Sequence, residues 1–280
     1  MKGKVIKAGL FGSPLSKSFS PALFGVFARL AGTEISYELR DVPRNQLRGA
    51  IDGARLNGWA GFNVTIPYKQ EVCALLSQAD PAAKAAGAVN AVRFGRTGLE
   101  GCNTDAHALR EIFSERGIDP AGRAAAVYGS GGAAGAAGWA LGRSRAAAVV
   151  FHARNAPAAA ALAARLGDCF SGTAFSAAPF YGPGAGDIFV NATPLGMYAP
   201  GRPPCAPGGA GSFCFDMAYA PGGTEFTRTA AAAGAGVVDG LEILVWQAVL
   251  ALKFWSGLPS GDIVKFKQEA LALLRSEKGF

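Results

Sequence analysis

Three polar stretches of this chain combine residue types that could do chemistry. They are GSPLSKSFSP from Gly12 to Pro21, FNVTIPYK from Phe62 to Lys69, and Asn103-Thr104-Asp105. The first holds four serines and one lysine and no acidic residue. Ser20 followed by Pro21 predicts a helix start, with the hydroxyl capping free amides and proline at the first helical position; Gly32 is its predicted stop. If the backbone is extended there, Ser18 and Ser20 point the same way across Phe19, beside the positive end of the helix. Such a pair can bind a carboxylate without a full opposite charge. The plainer alternative has one serine capping and the rest in water.

The second stretch predicts a strand over Phe62 to Ile66, with Asn63 and Thr65 on one face and Val64 and Ile66 on the other. Pro67 ends it, and Lys69 opens a helical segment. A polar pair on a short buried strand leading to a lysine suits a ligand site; an edge strand with a solvated lysine has the same pattern. Ala86 to Asn90 is a further apolar run ending in an amide. Asp105, taken alone, reads most simply as a helix N-cap.

These residues need elements to position them, and the middle of the chain supplies the clearest. An apolar run, Ala124 to Tyr128, leads into Gly129-Ser130-Gly131-Gly132-Ala133-Ala134 and then a helix ending near Gly142. That order of strand, glycine turn and helix satisfies GxGxxA. Gly129 permits the tight turn, Gly131 lets backbone approach a pyrophosphate, and Ala134 allows close helix packing. Further strands are predicted at Ala147 to His152, Asp187 to Val190, Phe213 to Met217 and Gly236 to Val238. Alternation with helices gives a doubly wound parallel sheet. The second strand ends in His152-Ala153-Arg154-Asn155 without an acid, which favours NADP over NAD; Arg154 serves equally well as a solvated arginine.

Composition bounds the rest. A chain of 280 residues suits two domains. Its two histidines, His107 and His152, lie far apart without metal-ligand spacing, which removes most histidine-centred metal and triad chemistries from contention. Five cysteines, Cys73, Cys102, Cys169, Cys205 and Cys214, form no CxxC pair and suggest neither a disulfide framework nor a zinc site. A reducing cytoplasm is expected. The formal charge of +7 is scattered, giving no nucleic-acid patch. The opening MKGKVIKAGL lacks the apolar core of a signal peptide, and Leu241 to Trp255, broken by Glu242, Gln247 and Lys253, is too short to cross a bilayer. A monomer or homodimer acting on a small molecule is expected.

Taken in order, these segments resemble the shikimate dehydrogenase family over nearly the whole chain. The resemblance rests on Ser18-Phe19-Ser20-Pro21, the NVTxPxK pattern from Asn63 to Lys69, AGAVN at Ala86 to Asn90, and NTD at Asn103 to Asp105. It continues through Gly129 to Ala133, Asn191-Ala192-Thr193, Asp216-Met217-Ala218-Tyr219, Asp239-Gly240-Leu241 and Gln247. It implies a reversible NADP-linked reduction of 3-dehydroshikimate to shikimate. It also implies that Ser18 and Ser20 hold the substrate carboxylate, that Asn63, Thr65, Asn90, Asp105, Tyr219 and Gln247 hold the rest of the substrate, and that Lys69 and Asp105 are the catalytic pair. Cofactor contacts fall to Gly129, Ser130, Gly131, Gly132, Ala133, Arg154, Asn191, Thr193, Met217 and Gly240. With histidine scarce, lysine is a strong candidate for the proton donor to the alkoxide left by hydride transfer.

The sequence departs from the family pattern in places. Ala153-Arg154-Asn155, with Ala158, retains one of two arginines expected at a 2′-phosphate, so NAD use stays open. Cys102 replaces an acidic residue, and Lys17 a frequent histidine. The implied architecture is an α/β substrate domain, 1–104 with 242–280, and a Rossmann domain, 105–241, with a cleft between them that closes on the cofactor. The neighbouring reading is a quinate/shikimate or related cyclitol-acid dehydrogenase using NAD or NADP. A non-catalytic nucleotide sensor is the reading from another class, disfavoured because lysine, aspartate and glycine turn are all present.

Overall fold

The structure is a computed structural model that describes residues 5–16, 18–181, 184–204, 208–259 and 261–278, so Lys17 and Cys205 lie outside the described residues. The chain divides into two compact units, 1–104 with 245–277 and 105–244 with 278–280.

The first unit opens with β1 (Ile6–Gly12), α1 (Ser20–Ala31) and β2 (Ile35–Asp41). A 3-10 turn (Arg44–Gln46), α2 (Leu47–Leu56), β3 (Gly61–Val64) and α3 (Lys69–Cys73) follow. Then come β4 (Gln78–Ala79), α4 (Pro81–Ala86), β5 (Ala91–Phe94) and β6 (Leu99–Cys102). Its six strands run in the order β2-β1-β3-β5-β6-β4. The pairs β1 with β2 and β1 with β3 are parallel, whereas β3 with β5 and β5 with β6 are antiparallel. Phe11, Trp59, Phe62, Val64, Tyr68 and Val92 fill a core on this sheet.

The helix α5 (Thr104–Glu115) leads into the second unit. There β7 (Ala124–Tyr128), α6 (Gly132–Arg143), β8 (Ala148–Ala153), α7 (Ala156–Cys169) and β9 (Ala174–Pro179) alternate. β10 (Ile188–Asn191), β11 (Phe213–Asp216), α8 (Glu225–Ala232) and β12 (Gly236–Val238) complete the sheet. The strand order β12-β11-β10-β7-β8-β9 is parallel throughout, as in a doubly wound sheet whose order reverses between β7 and β10. The chain continues into α9 (Gly240–Ser256) and α10 (Ile263–Lys278). Among the described residues, no helix is long and apolar enough to cross a membrane.

Several local expectations change. Gly32 does stop α1, in the left-handed conformation at φ 58°. Ser20, however, is the first helical residue and not the cap: Phe19 occupies that position with ψ −1°, so Ser18-Phe19-Ser20 is not extended. The strand around Asn63 ends at Val64, and Ile66, at 52% exposure, belongs to the following turn. Asp105 is the second residue of α5, not its cap. The edge strand β9 is not marked in the sequence, because its Ala-rich residues are mostly exposed and carry no apolar alternation.

Candidate active site

In the first unit the polar residues sit on the ends of short, well-anchored elements. The Ser13 amide donates to the Ile66 carbonyl (3.0 Å) and the Leu15 amide to Asp41 Oδ2 (3.1 Å), which ties the serine segment to the turn after β3 and to the end of β2. Ser18 Oγ accepts from the Ser20 amide at 3.3 Å, so this hydroxyl, not that of Ser20, meets an orphan donor of α1. The buried Ser20 hydroxyl lies at the helix start. The Thr65 amide donates to the Phe11 carbonyl (2.9 Å), and a Cβ added at Gly12 would lie 2.4 Å from the Thr65 methyl. Thr65 therefore packs directly on the strand that leads into the serines. Lys69 opens α3, half-buried, with its carbonyl accepting from Val89 (3.0 Å).

Asn90 is the hub of this half. Its Nδ2 donates to Thr104 Oγ1 (2.9 Å) and Gln247 Oε1 (3.4 Å), while its Oδ1 accepts the Thr104 amide (2.7 Å). This buried side-chain amide thus caps the start of α5 from a distant loop and meets Gln247 on α9, while the main-chain carbonyl of Asn90 receives Asn63 Nδ2 (3.0 Å). Asn63, 5% exposed, is held from its other end by the Tyr37 hydroxyl, which donates to Oδ1 (2.8 Å). Of the predicted residues, Asn63, Asn90 and Gln247 are brought together. The buried Asp105 follows Thr104 directly in the first turn of α5. The links through Tyr37 and Thr104 were missed. Thr104 lies within the Asn103-Thr104-Asp105 pattern, but nothing in its neighbours marks it as Asn90's partner.

In the second unit the predicted residues gather at the C-terminal ends of the central strands. Gly129 has φ 127°, and an added Cβ would lie 2.7 Å from the Ala192 carbonyl oxygen, so conformation and close approach both require glycine. Gly131 caps α6, and an added Cβ there meets nothing within 4 Å. The space before the helix N-terminus is open, and with Ser130, Gly132 and Ala133 it suits a phosphate approaching backbone amides. Ala134 is fully buried against the sheet, as its size requires. The exposed Arg154 stands at the end of β8. Asn155 Oδ1 accepts from the Ala158 amide (3.0 Å), so it caps α7.

A second hub, Asp216, holds the remaining loops and is fully buried. Its Oδ1 accepts from Asn191 Nδ2 (2.8 Å) and the Ala218 amide (2.9 Å), and its Oδ2 from the Thr224 hydroxyl (2.5 Å). Burial raises its carboxyl to about 7, against the lowering effect of these three donors, and Asp239 nearby raises it further. Asn191 spends its other N–H on the Leu195 carbonyl (3.1 Å) and its oxygen on the Thr193 amide and hydroxyl. Its side chain thus shapes the loop that carries Thr193. Gly240 has a packing reason: an added Cβ would lie 2.2 Å from the Ala218 carbonyl oxygen. Tyr219 lines a cavity of about 30 Å³ with Thr224, Asp239 and Gly240, and Met217 donates its amide to the Asn191 carbonyl (2.9 Å).

The strand order and glycine turn define the second unit as a Rossmann-type dinucleotide-binding fold. Residues 10–92 match the model of the shikimate dehydrogenase substrate binding domain. The shikimate dehydrogenase (NADP(+)) of Rubrobacter xylanophilus is 38% identical over 271 residues, spanning 91% of this chain and 92% of the relative. Among solved structures, the shikimate 5-dehydrogenase of Thermus thermophilus, in complex with NADP(H) and shikimate, matches with a TM-score of 0.81 and 32% identity, over 95% of this chain and 98% of that one. The ligand-free 5-ketofructose reductase of a Gluconobacter species matches at 0.83 and 29%, over 96% and 99%. The chain belongs to the shikimate dehydrogenase family.

Proposed function

We propose that this protein is an NADP-dependent shikimate dehydrogenase, catalysing the reversible reduction of 3-dehydroshikimate to shikimate in aromatic amino-acid synthesis. Membership of the family carries the reading, and one observation within the chain supports it most: the buried line Asn63–Asn90–Gln247, which sets amides on separate elements in fixed orientations. Such a line suits a ligand rich in hydroxyls. The bound nicotinamide cofactor supplies or accepts hydride. The open N-terminus of α6 offers amides to its pyrophosphate, and Arg154 offers one guanidinium to a 2′-phosphate, which predicts a moderate preference for NADP.

Ser18 and Ser20 hold the substrate carboxylate, and Asn63, Thr65, Gln247 and Tyr219 orient the ring and its hydroxyls. Asn90 acts by holding Asn63 and Gln247. Lys69 gives its proton to the ketone oxygen as negative charge develops there, and takes it back in the reverse direction. Asp105 is the second member of the proposed catalytic pair.

The test is the absorbance of reduced nicotinamide when shikimate or quinate is added to protein with NADP or NAD. Turnover fastest with shikimate and NADP is expected; no signal with shikimate and either cofactor overturns the reading. Lys69→Ala should lower kcat by roughly a thousandfold while leaving NADP affinity intact.

A further inference from the structure

We propose that Tyr37 is a positioning residue that holds the Asn63 amide in a fixed orientation toward the substrate. The inference rests on Asn63 contacting substrate. Asn63 Nδ2 lies 3.0 Å from the Asn90 carbonyl, which can only accept. The amide nitrogen is therefore on that side, and the Tyr37 hydroxyl must donate to Oδ1 at 2.8 Å. Among the described residues this leaves Asn63 one further N–H and one lone pair for a ligand.

Tyr37 is itself held. Its ring stacks on Phe24 of α1 with centroids 4.0 Å apart and planes 9° from parallel, and Phe24 stacks in turn on Trp255 of α9 at 5.7 Å. The hydroxyl thus comes from a ring fixed between β2 and the helix that carries Ser20, and it reaches a strand two positions across the sheet. A tyrosine needed only for packing would give its hydroxyl to water. Here the hydroxyl instead anchors the free end of a nearly buried amide, and loss of that anchor lets the amide pivot about its bond to Asn90.

The test is a double-mutant cycle of Tyr37→Phe and Asn63→Ala, reading KM for shikimate, KM for NADP and kcat. Tyr37→Phe keeps the ring and should raise the shikimate KM about three- to tenfold, with the NADP KM unchanged. In the Asn63→Ala background the same substitution should raise it no further, because the amide through which it acts is gone. Phe24→Leu, which keeps the hydroxyl but removes its stacking partner, should give a smaller rise. An unchanged shikimate KM in Tyr37→Phe, or equal effects with and without Asn63, overturns the inference. Failure of the unaltered protein to turn over shikimate would instead remove the functional reading beneath it.

Discussion

The two units solve the same problem with different chemistry. In the first, Asn63, Asn90, Thr104 and Gln247 are joined through neutral amides and hydroxyls; in the second, Asn191, Ala218 and Thr224 converge on one buried carboxyl, Asp216. A neutral line keeps its hydrogen bonds whatever the pH. A carboxyl hub gains a third strong donor at the cost of burying a titratable group. The substrate half is therefore built for constancy, while the stability of the dinucleotide half depends on a proton.

The comparison breaks most severely at Asn90. Asn90→Ala removes the side-chain partner of the Thr104 amide and hydroxyl and of Gln247 Oε1, leaving only the main-chain bond to Asn63, and should cost about 3 kcal/mol of stability in urea unfolding. Misplacing Gln247 and the start of α5 should also lower kcat/KM for shikimate by about 100-fold. Activity within a few-fold of the unaltered protein would show that the line does not set the site.

Acidity should separate the halves next. Asp216 holds its proton to about 7 when folded but releases it near 3.8 when unfolded. Between those values the folded state binds more protons, so stability falls as pH rises through this window. From pH 5 to pH 8 the loss through this group should be roughly 2–3 kcal/mol, and Asp216→Asn should remove that slope. Equal slopes of melting temperature against pH in the two proteins would refute it. A smaller effect is expected at Thr224, whose hydroxyl caps α8 in a reciprocal box with Thr227 and also reaches Asp216. Thr224→Ala should cost about 1–2 kcal/mol, with the NADP KM rising more than the shikimate KM.

Legibility in the sequence follows the same division. The Rossmann half could be read strand by strand because its glycine turn and apolar runs are local: three predicted strands lie within a residue of β8, β10 and β11, and those at β7 and β12 coincide. The substrate half was legible as a set of polar residues but not as a network. Ser18, Asn63, Asn90 and Gln247 announce themselves by type, whereas Tyr37 and Thr104 act through partners 26 and 14 positions away. No local pattern encodes such pairings. Asp216 was visible within a quoted pattern, yet its role as hub depends on burial, which neighbouring residues alone do not reveal.

The Gly129 turn also bears on how this enzyme can change. Its positive φ and contact with Ala192 leave no room for a side chain, so that corner is frozen against variation. Arg154 and Asn155, by contrast, face solvent, and the half-exposed Ala158 beside them tolerates a larger residue. Any drift in the choice between phosphorylated and unphosphorylated dinucleotide, natural or engineered, has its easiest path at the tip of β8.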